Sequence, residues 1–259
     1  MSTATRFTRA IVRRPSSTVI DGLRSVDRGD PDVDALRREH AVYVDMLTRL
    51  GLTVEVLDPL DAYPDSLFVE DPALVLPGAA ILLRPGAPSR LGETLELAPT
   101  LRANFATVIS LGAEGFVDGG DVLITPHAVY IGLSARTDLA GATALADILI
   151  ALGRRAAIVT PPSGLLHLKT GCALVDDLTV LATRAVADAG LFSGLDSIVV
   201  PEGEEAVANA LCINGVVLIA SGFPRTATLL ESRGYDVRTL AVDEVMKMDA
   251  GLSCMSLRW

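Results

Sequence analysis

Ala73-Leu74-Val75-Leu76-Pro77-Gly78-Ala79-Ala80-Ile81-Leu82-Leu83 sets two short apolar runs on either side of a Pro-Gly pair, the pattern of two strands joined by a tight turn. The phrase recurs. Asp121-Val122-Leu123-Ile124-Thr125-Pro126-His127-Ala128-Val129-Tyr130-Ile131 repeats it, as do Ala173 to Leu181 around Asp176-Asp177 and Ala210 to Ile219 around Asn214-Gly215. Counted from Leu74, Leu123, Leu174 and Leu211, the units return at roughly 40 to 50 residues, an interval typical of repeat architectures.

Between the hairpins lie helical stretches, each followed by a single β-rich run. A helix is expected from Pro31 to about Leu50, with Asp30 as N-cap, Pro31 at the first helical position and Gly51 as the stop. Further helices are expected over Leu139 to Leu152 after Thr137-Asp138, and over Ala227 to Ser232 after Arg225-Thr226, with a shorter stretch after Glu202 to Glu205. Single strands are expected at Thr53–Leu57, Ala157–Val159, Ser197–Val200 and Tyr235–Leu240. The unit is thus hairpin, helix, strand. Joining the Cys254-to-Trp259 run to a first strand at Ala10-Ile11-Val12 would make a fifth unit from both chain ends and close a ring. An ordinary α/β sandwich with similar strands is the alternative that periodicity leaves open.

The 259 residues are half apolar with a fifth charged and few aromatics, a globular composition able to bury a large core. One catalytic domain over 1–259 is expected, with residues 1–9 as a flexible N-terminal arm. The net charge of −10, without a basic block, argues against nucleic acid and suits a small cationic partner better. No apolar run is long enough to span a membrane. Cysteines 172, 212 and 254 form neither a disulfide framework nor a zinc pattern, so a reducing cytoplasm is expected. Cys172 and Cys212 read as core residues of apolar strands.

Cys254 differs from them, since it follows Gly251 and Ser253 in a loop that enters the last strand. A cysteine nucleophile needs a base and an orienting acid. His40, in a charged helix, and His127, in a hairpin turn, read as solvent-facing, whereas His167 sits in Leu165-Leu166-His167-Leu168-Lys169, just before a hairpin. Asp118-Gly119-Gly120-Asp121 offers carboxylates around a bend. Asp65 and the adjacent Glu70-Asp71 lie between apolar runs; buried acids need a cation, which a guanidinium ligand would supply. Arg90 and Arg136 end successive hairpins, placed to grip a carboxylate or to serve as surface ion-pair partners.

Taken in order, Asp65-x-x-Phe68-Val69-Glu70-Asp71, Arg84-Pro85-Gly86-Ala87-Pro88-Ser89-Arg90, Asp118-Gly119-Gly120-Asp121-Val122, Gly132-Leu133-Ser134-x-Arg136-Thr137, Leu166-His167-Leu168-Lys169 and Asp249…Ser253-Cys254 resemble the dimethylarginine dimethylaminohydrolase family over nearly the whole chain. The resemblance implies an α/β pentein fold: a five-bladed propeller of ββαβ units around a central channel, its last blade closed by the two chain termini. It implies Cys254 as nucleophile, His167 as general acid and base, and Asp118 as the acid that orients His167. Asp65, Glu70 and Asp71 match substrate-site acids, Arg90 and Arg136 match the arginines on the α-carboxylate, and Leu23 and Met248 match backbone contacts to the amino-acid end. Met248 replaces the smaller branched residue usual there. Asp249 matches a support for the guanidinium and thiol.

The implied activity is hydrolysis of asymmetric dimethylarginine, and of monomethylarginine, to citrulline and an alkylamine, with no cofactor or metal and with the protein a monomer or homodimer. An arginine deiminase or an amidinotransferase of the same superfamily is the alternative, and a non-catalytic binding protein of this fold a further one.

Overall fold

The computed structural model describes residues 4–259. Along the chain, β1 (Arg9–Arg13), α1 (Val33–Arg49) and β2 (Thr53–Leu57) lead into β3 (Ala73–Leu76), β4 (Ala79–Leu82), α2 (Glu93–Asn104) and β5 (Thr107–Ser110). The next unit holds β6 (Val122–Ile124), β7 (Val129–Gly132), α3 (Leu139–Ala151) and β8 (Ala156–Val159). It is followed by β9 (Cys172–Leu174), β10 (Thr179–Ala182), α4 (Arg184–Asp188) and β11 (Asp196–Val199). The last stretch holds β12 (Leu211–Ile213), β13 (Val216–Ala220), α5 (Pro224–Ser232), β14 (Asp236–Leu240), α6 (Asp243–Met246) and β15 (Leu257–Arg258). All four expected hairpins and the four expected single strands are present. Helix α2 carried no sequence signal, because Pro99 inside it reads as a breaker.

The strands form five three-stranded sheets, β3-β4-β5, β6-β7-β8, β9-β10-β11, β12-β13-β14 and β15-β1-β2. In every sheet an antiparallel pair is followed by a parallel one, the parallel strand returning after a helix. The fifth sheet follows this rule with strands from opposite ends of the chain: Ile11 pairs with Leu257 antiparallel and Val12 with Val56 parallel. The turns follow their residues. Asn214 and Gly215 both take positive φ, 53° and 94°, as a two-residue hairpin of twisted strands requires.

Helix α1 starts two residues later than expected: Asp32, not Asp30, is the N-cap, accepting the Ala35 N–H at 2.8 Å. Its buried stripe is Leu36, His40, Tyr43 and Leu47, so His40 is a core residue and not solvent-facing, while His127 is exposed. Cys172 and Cys212 are buried in β9 and β12. Of the expected N-terminal arm, residues 1–3 lie outside the described residues, and residues 4–8 are tied down. Ala4 N donates to Asp177, Asn214 brackets Phe7 through its N–H and carbonyl, and Thr8 N donates to the Trp259 carbonyl.

A cavity of about 150 Å³ is lined by first strands from all five sheets, with Val75, Leu123, Ala173, Leu211 and Leu257 on its wall. Among the described residues, no helix is long and apolar enough to cross a membrane.

Candidate active site

The segment that enters the first strand of each sheet carries a polar or reactive residue. Asp71 precedes β3, Asp118 precedes β6, His167 precedes β9, Asn209 precedes β12 and Cys254 precedes β15. Positions more than a hundred residues apart thereby reach one end of the sheets. A cavity of about 310 Å³ opens there, walled by Glu70, His167, Lys169, Asn209, Asp249 and Cys254. Glu70 and Lys169 also border the first-strand cavity, so their ion pair at 2.5 Å lies where the two spaces meet.

His167 Nε2 lies 3.0 Å from Asp118 Oδ2. Asp118 is fully buried; its other oxygen accepts the Gly86 N–H at 2.7 Å and its own N–H donates to Thr137 Oγ. The carboxylate therefore cannot turn away from the imidazole. Asp121 fixes the far side: one oxygen accepts the Leu168 N–H at 2.8 Å and the other the Ser134 and Thr137 hydroxyls. Gly120 allows the close approach, since a Cβ there would lie 2.7 Å from His167 Nδ1. Burial works against a charged imidazole, but Asp71, the hydrogen bond to Asp118 and the Asp121 and Asp118 charges outweigh it and lift the pKa to about 9. His167 is an imidazolium at neutral pH.

Cys254 sits in a single helical turn, Ser253–Met255, and its carbonyl accepts the Glu70 N–H. Burial, with Glu70 and Asp71 adding to it, pushes the thiol up to about 12 against the Gly251 backbone and Lys169. Without a further cation the sulfur stays protonated.

Glu70 is clamped by Lys169, by Ser253 Oγ at 3.0 Å and by Arg258 at 3.4 Å. Asp71 accepts Arg90 on one oxygen and the Gly120 N–H on the other, and although burial opposes ionisation the Arg90 charge holds its pKa low. Arg90 is buried; its guanidinium also grips both oxygens of Glu93 and the carbonyls of Asp65 and Phe68. Arg136 is the more accessible of the two arginines, its side chain 21% exposed and 3.8 Å from Asp118. Asp65, raised in pKa chiefly by burial, accepts the Leu23 N–H at 3.0 Å. Met248 is buried where a Cβ on Gly22 would meet it.

The expected residues thus fall into two layers. Cys254, His167 and Glu70 face the open cavity, with Asp118, Asp71, Asp65 and Arg90 packed behind them. Asp249 lines the same cavity as Cys254, and its carboxylate also accepts the Ser25 N–H and hydroxyl, the Val26 N–H and Arg28, so it holds the 25–28 strap. Asn209 and Lys169 carry little signal in the sequence; a lone amide before an apolar run, at the point where the other units carry reactive groups, is the one available.

Asp71, Asp118 and His167 offer donor atoms within 4.8 Å of one another. All three are already engaged, His167 with Asp118, Asp118 also with the Gly86 N–H, and Asp71 with Arg90 and the Gly120 N–H.

A family model described as arginine deiminase matches residues 56–197. The N(G),N(G)-dimethylarginine dimethylaminohydrolase of Pseudomonas aeruginosa is 36% identical, over 98% of this chain and 100% of its own. The chain belongs to the dimethylarginine dimethylaminohydrolase family. A second dimethylarginine dimethylaminohydrolase, from Streptomyces coelicolor, is 33% identical over 96% of both chains. The solved structure of the Pseudomonas aeruginosa enzyme, a serine-for-cysteine mutant complexed with citrulline, superposes with a TM-score of 0.95 at 35% identity, covering 98% of this chain and 100% of that one. The dimethylarginine dimethylaminohydrolase family therefore accounts for this chain at the level of fold as well as sequence.

Proposed function

We propose that this protein hydrolyses asymmetric Nω,Nω-dimethyl-L-arginine, and monomethylarginine, to citrulline and dimethylamine or methylamine. The observation that carries the reading is a thiol and an Asp-backed imidazolium on the wall of one acid-rich cavity, in a chain whose full-length relatives bear that enzyme's name.

The substrate guanidinium is a cation. It enters beside Glu70, with the Asp71 charge behind, and next to the sulfur it supplies the charge that favours loss of the thiol proton to solvent and a thiolate. The thiolate attacks the guanidinium carbon, forming a C–S bond. His167 gives its proton to the alkylated nitrogen, the C–N bond breaks and the neutral amine leaves. A thiouronium remains on Cys254. Water then attacks its carbon while the neutral His167 takes one of its protons; the C–S bond breaks, the remaining hydroxyl proton passes to solvent, and citrulline and the thiolate are released. Asp118 keeps the imidazole in place through both halves.

At the amino-acid end, Arg136 meets the α-carboxylate, and the backbone at Leu23 and Met248 with Asp65 meets the α-amino group. Arg90, whose donors are largely taken, contributes charge and holds Asp71. No cofactor enters these steps. We also read the five sheets as one domain closed into a propeller, supported by the pairing of β15 with β1 and by a cavity walled by all five first strands. Three free thiols fit a cytoplasmic setting.

The match to the arginine deiminase model favours a second reading, release of ammonia from arginine. Separate incubations with asymmetric dimethylarginine, monomethylarginine and arginine, followed by identification of the amine, decide between them. Dimethylamine and methylamine are expected to dominate; ammonia from arginine as the main product would reassign the enzyme. Cys254→Ser is expected to abolish turnover, and citrulline release by that variant would sink the covalent route.

A further inference from the structure

Four of the five segments that enter a first strand carry a group already given a part in the chemistry: Asp71, Asp118, His167 and Cys254. The fifth carries Asn209, whose side chain joins three pieces of the site. Its Oδ1 accepts the Ser253 N–H at 3.0 Å, and its Nδ2 lies 3.2 Å from the Lys169 carbonyl, 3.3 Å from Ser253 Oγ and 3.9 Å from Cys254 Sγ. Gly251 exists to make room for it, since a Cβ there would lie 2.6 Å from the Asn209 amide. Two Nδ2 hydrogens thus face three acceptors.

We infer that Asn209 is a positioning residue for the nucleophile, and that one Nδ2 hydrogen turns from Ser253 Oγ to the Cys254 sulfur when the sulfur becomes a thiolate. This rests on the reading of Cys254 as nucleophile. A thiolate is a far better acceptor than a thiol, so the bond forms when the negative charge appears. Ser253 Oγ loses little, because it still donates to Glu70. The charged groups around the sulfur leave this donor a role: Glu70 and Asp71 disfavour the thiolate, Lys169 favours it, and His167 and Asp249 share the cavity wall. Through the Lys169 carbonyl, two residues beyond His167, the same amide also sets the spacing between the proton donor and the nucleophile.

The test follows alkylation of Cys254 by iodoacetamide across pH in the substrate-free protein, with Cys254→Ser as the blank for the two other thiols. Asn209→Ala is expected to react about tenfold more slowly at each pH, equivalent to about one unit in the thiol pKa. Asn209→Asp keeps an oxygen for the Ser253 N–H but sets an anion beside the sulfur, so it should react more slowly still. In turnover, kcat is expected to fall about tenfold with KM changed less than about threefold. Alkylation profiles of both variants that coincide with the parent's overturn the inference, whatever happens to their melting temperatures. If Asn209→Ala does not fold, the near-isosteric Asn209→Asp decides alone. A parent protein that releases no citrulline, yet shows these alkylation shifts, would fail the functional reading only; citrulline release with unmoved profiles would fail the role of Asn209 only.

Discussion

Asp118 is the hydrogen-bonded partner of His167, and its carboxylate, immobilised by Gly86, acts after the Asp71 charge to keep the imidazole protonated. The folded pKa of about 9 keeps His167 protonated, and so able to serve the leaving amine, up to that pH. Asp118→Asn removes the anionic acceptor at nearly constant shape. It is expected to move the alkaline limb of the kcat/KM profile to lower pH and to lower kcat by about a hundredfold; an alkaline limb that stays in place would show that another group supplies the proton. Much of this layer was legible in the sequence, since a thiol, a histidine and acids before hairpins are conspicuous by type. Asn209 and Lys169 were not, because an amide and a lysine acquire their meaning only from neighbours in other units, such as Ser253 and Glu70.

Helix α1 shows where reading by composition misleads at the scale of an element. His40 follows Arg37-Arg38-Glu39 and so reads as solvent-facing, yet the spacing 36, 40, 43, 47 is one helix face, and that face is the buried one. The signal was present in the period and hidden by the charges beside it. Burial, assisted by Arg14, pushes the His40 pKa down to about 4, and its Nε2 has no partner among the described residues. Because the folded pKa lies below the ordinary 6.5, protons favour the unfolded chain, so stability is lost as pH falls from about 6.5 toward 4, by up to about 3 kcal/mol. His40→Leu should flatten the dependence of melting temperature on pH across that window; a variant as acid-sensitive as its parent would place the effect on other groups. Helix α2 is hidden for a different reason, its interior Pro99, whereas α3 starts at Leu139 directly after Thr137-Asp138, as its sequence indicates, with Asp138 as the N-cap.

For the molecule as a whole, the number of units was legible because hairpins announce themselves, and the pairing of the two ends followed from needing a fifth. The strap over the site was not legible, since Ser25 and its acceptor Asp249 are separated by 224 residues and nothing local marks them as partners. The joining strand couples stability to chemistry. Leu257 is buried opposite Ile11, three residues after Cys254. Leu257→Ala is expected to cost about 3 kcal/mol and to lower kcat even where the protein remains folded, which denaturant melts and turnover measured well below the transition will resolve; full activity at reduced stability would separate the strand from the site. The hairpin at Pro77-Gly78 has a practical use. Its exposed tip lies beyond the four residues of β3, about 13 Å from the carboxylate end at about 3.3 Å per residue. It is a natural attachment point for a fluorophore or a surface tether, where cargo can be grafted without blocking the entrance through which the guanidine arrives.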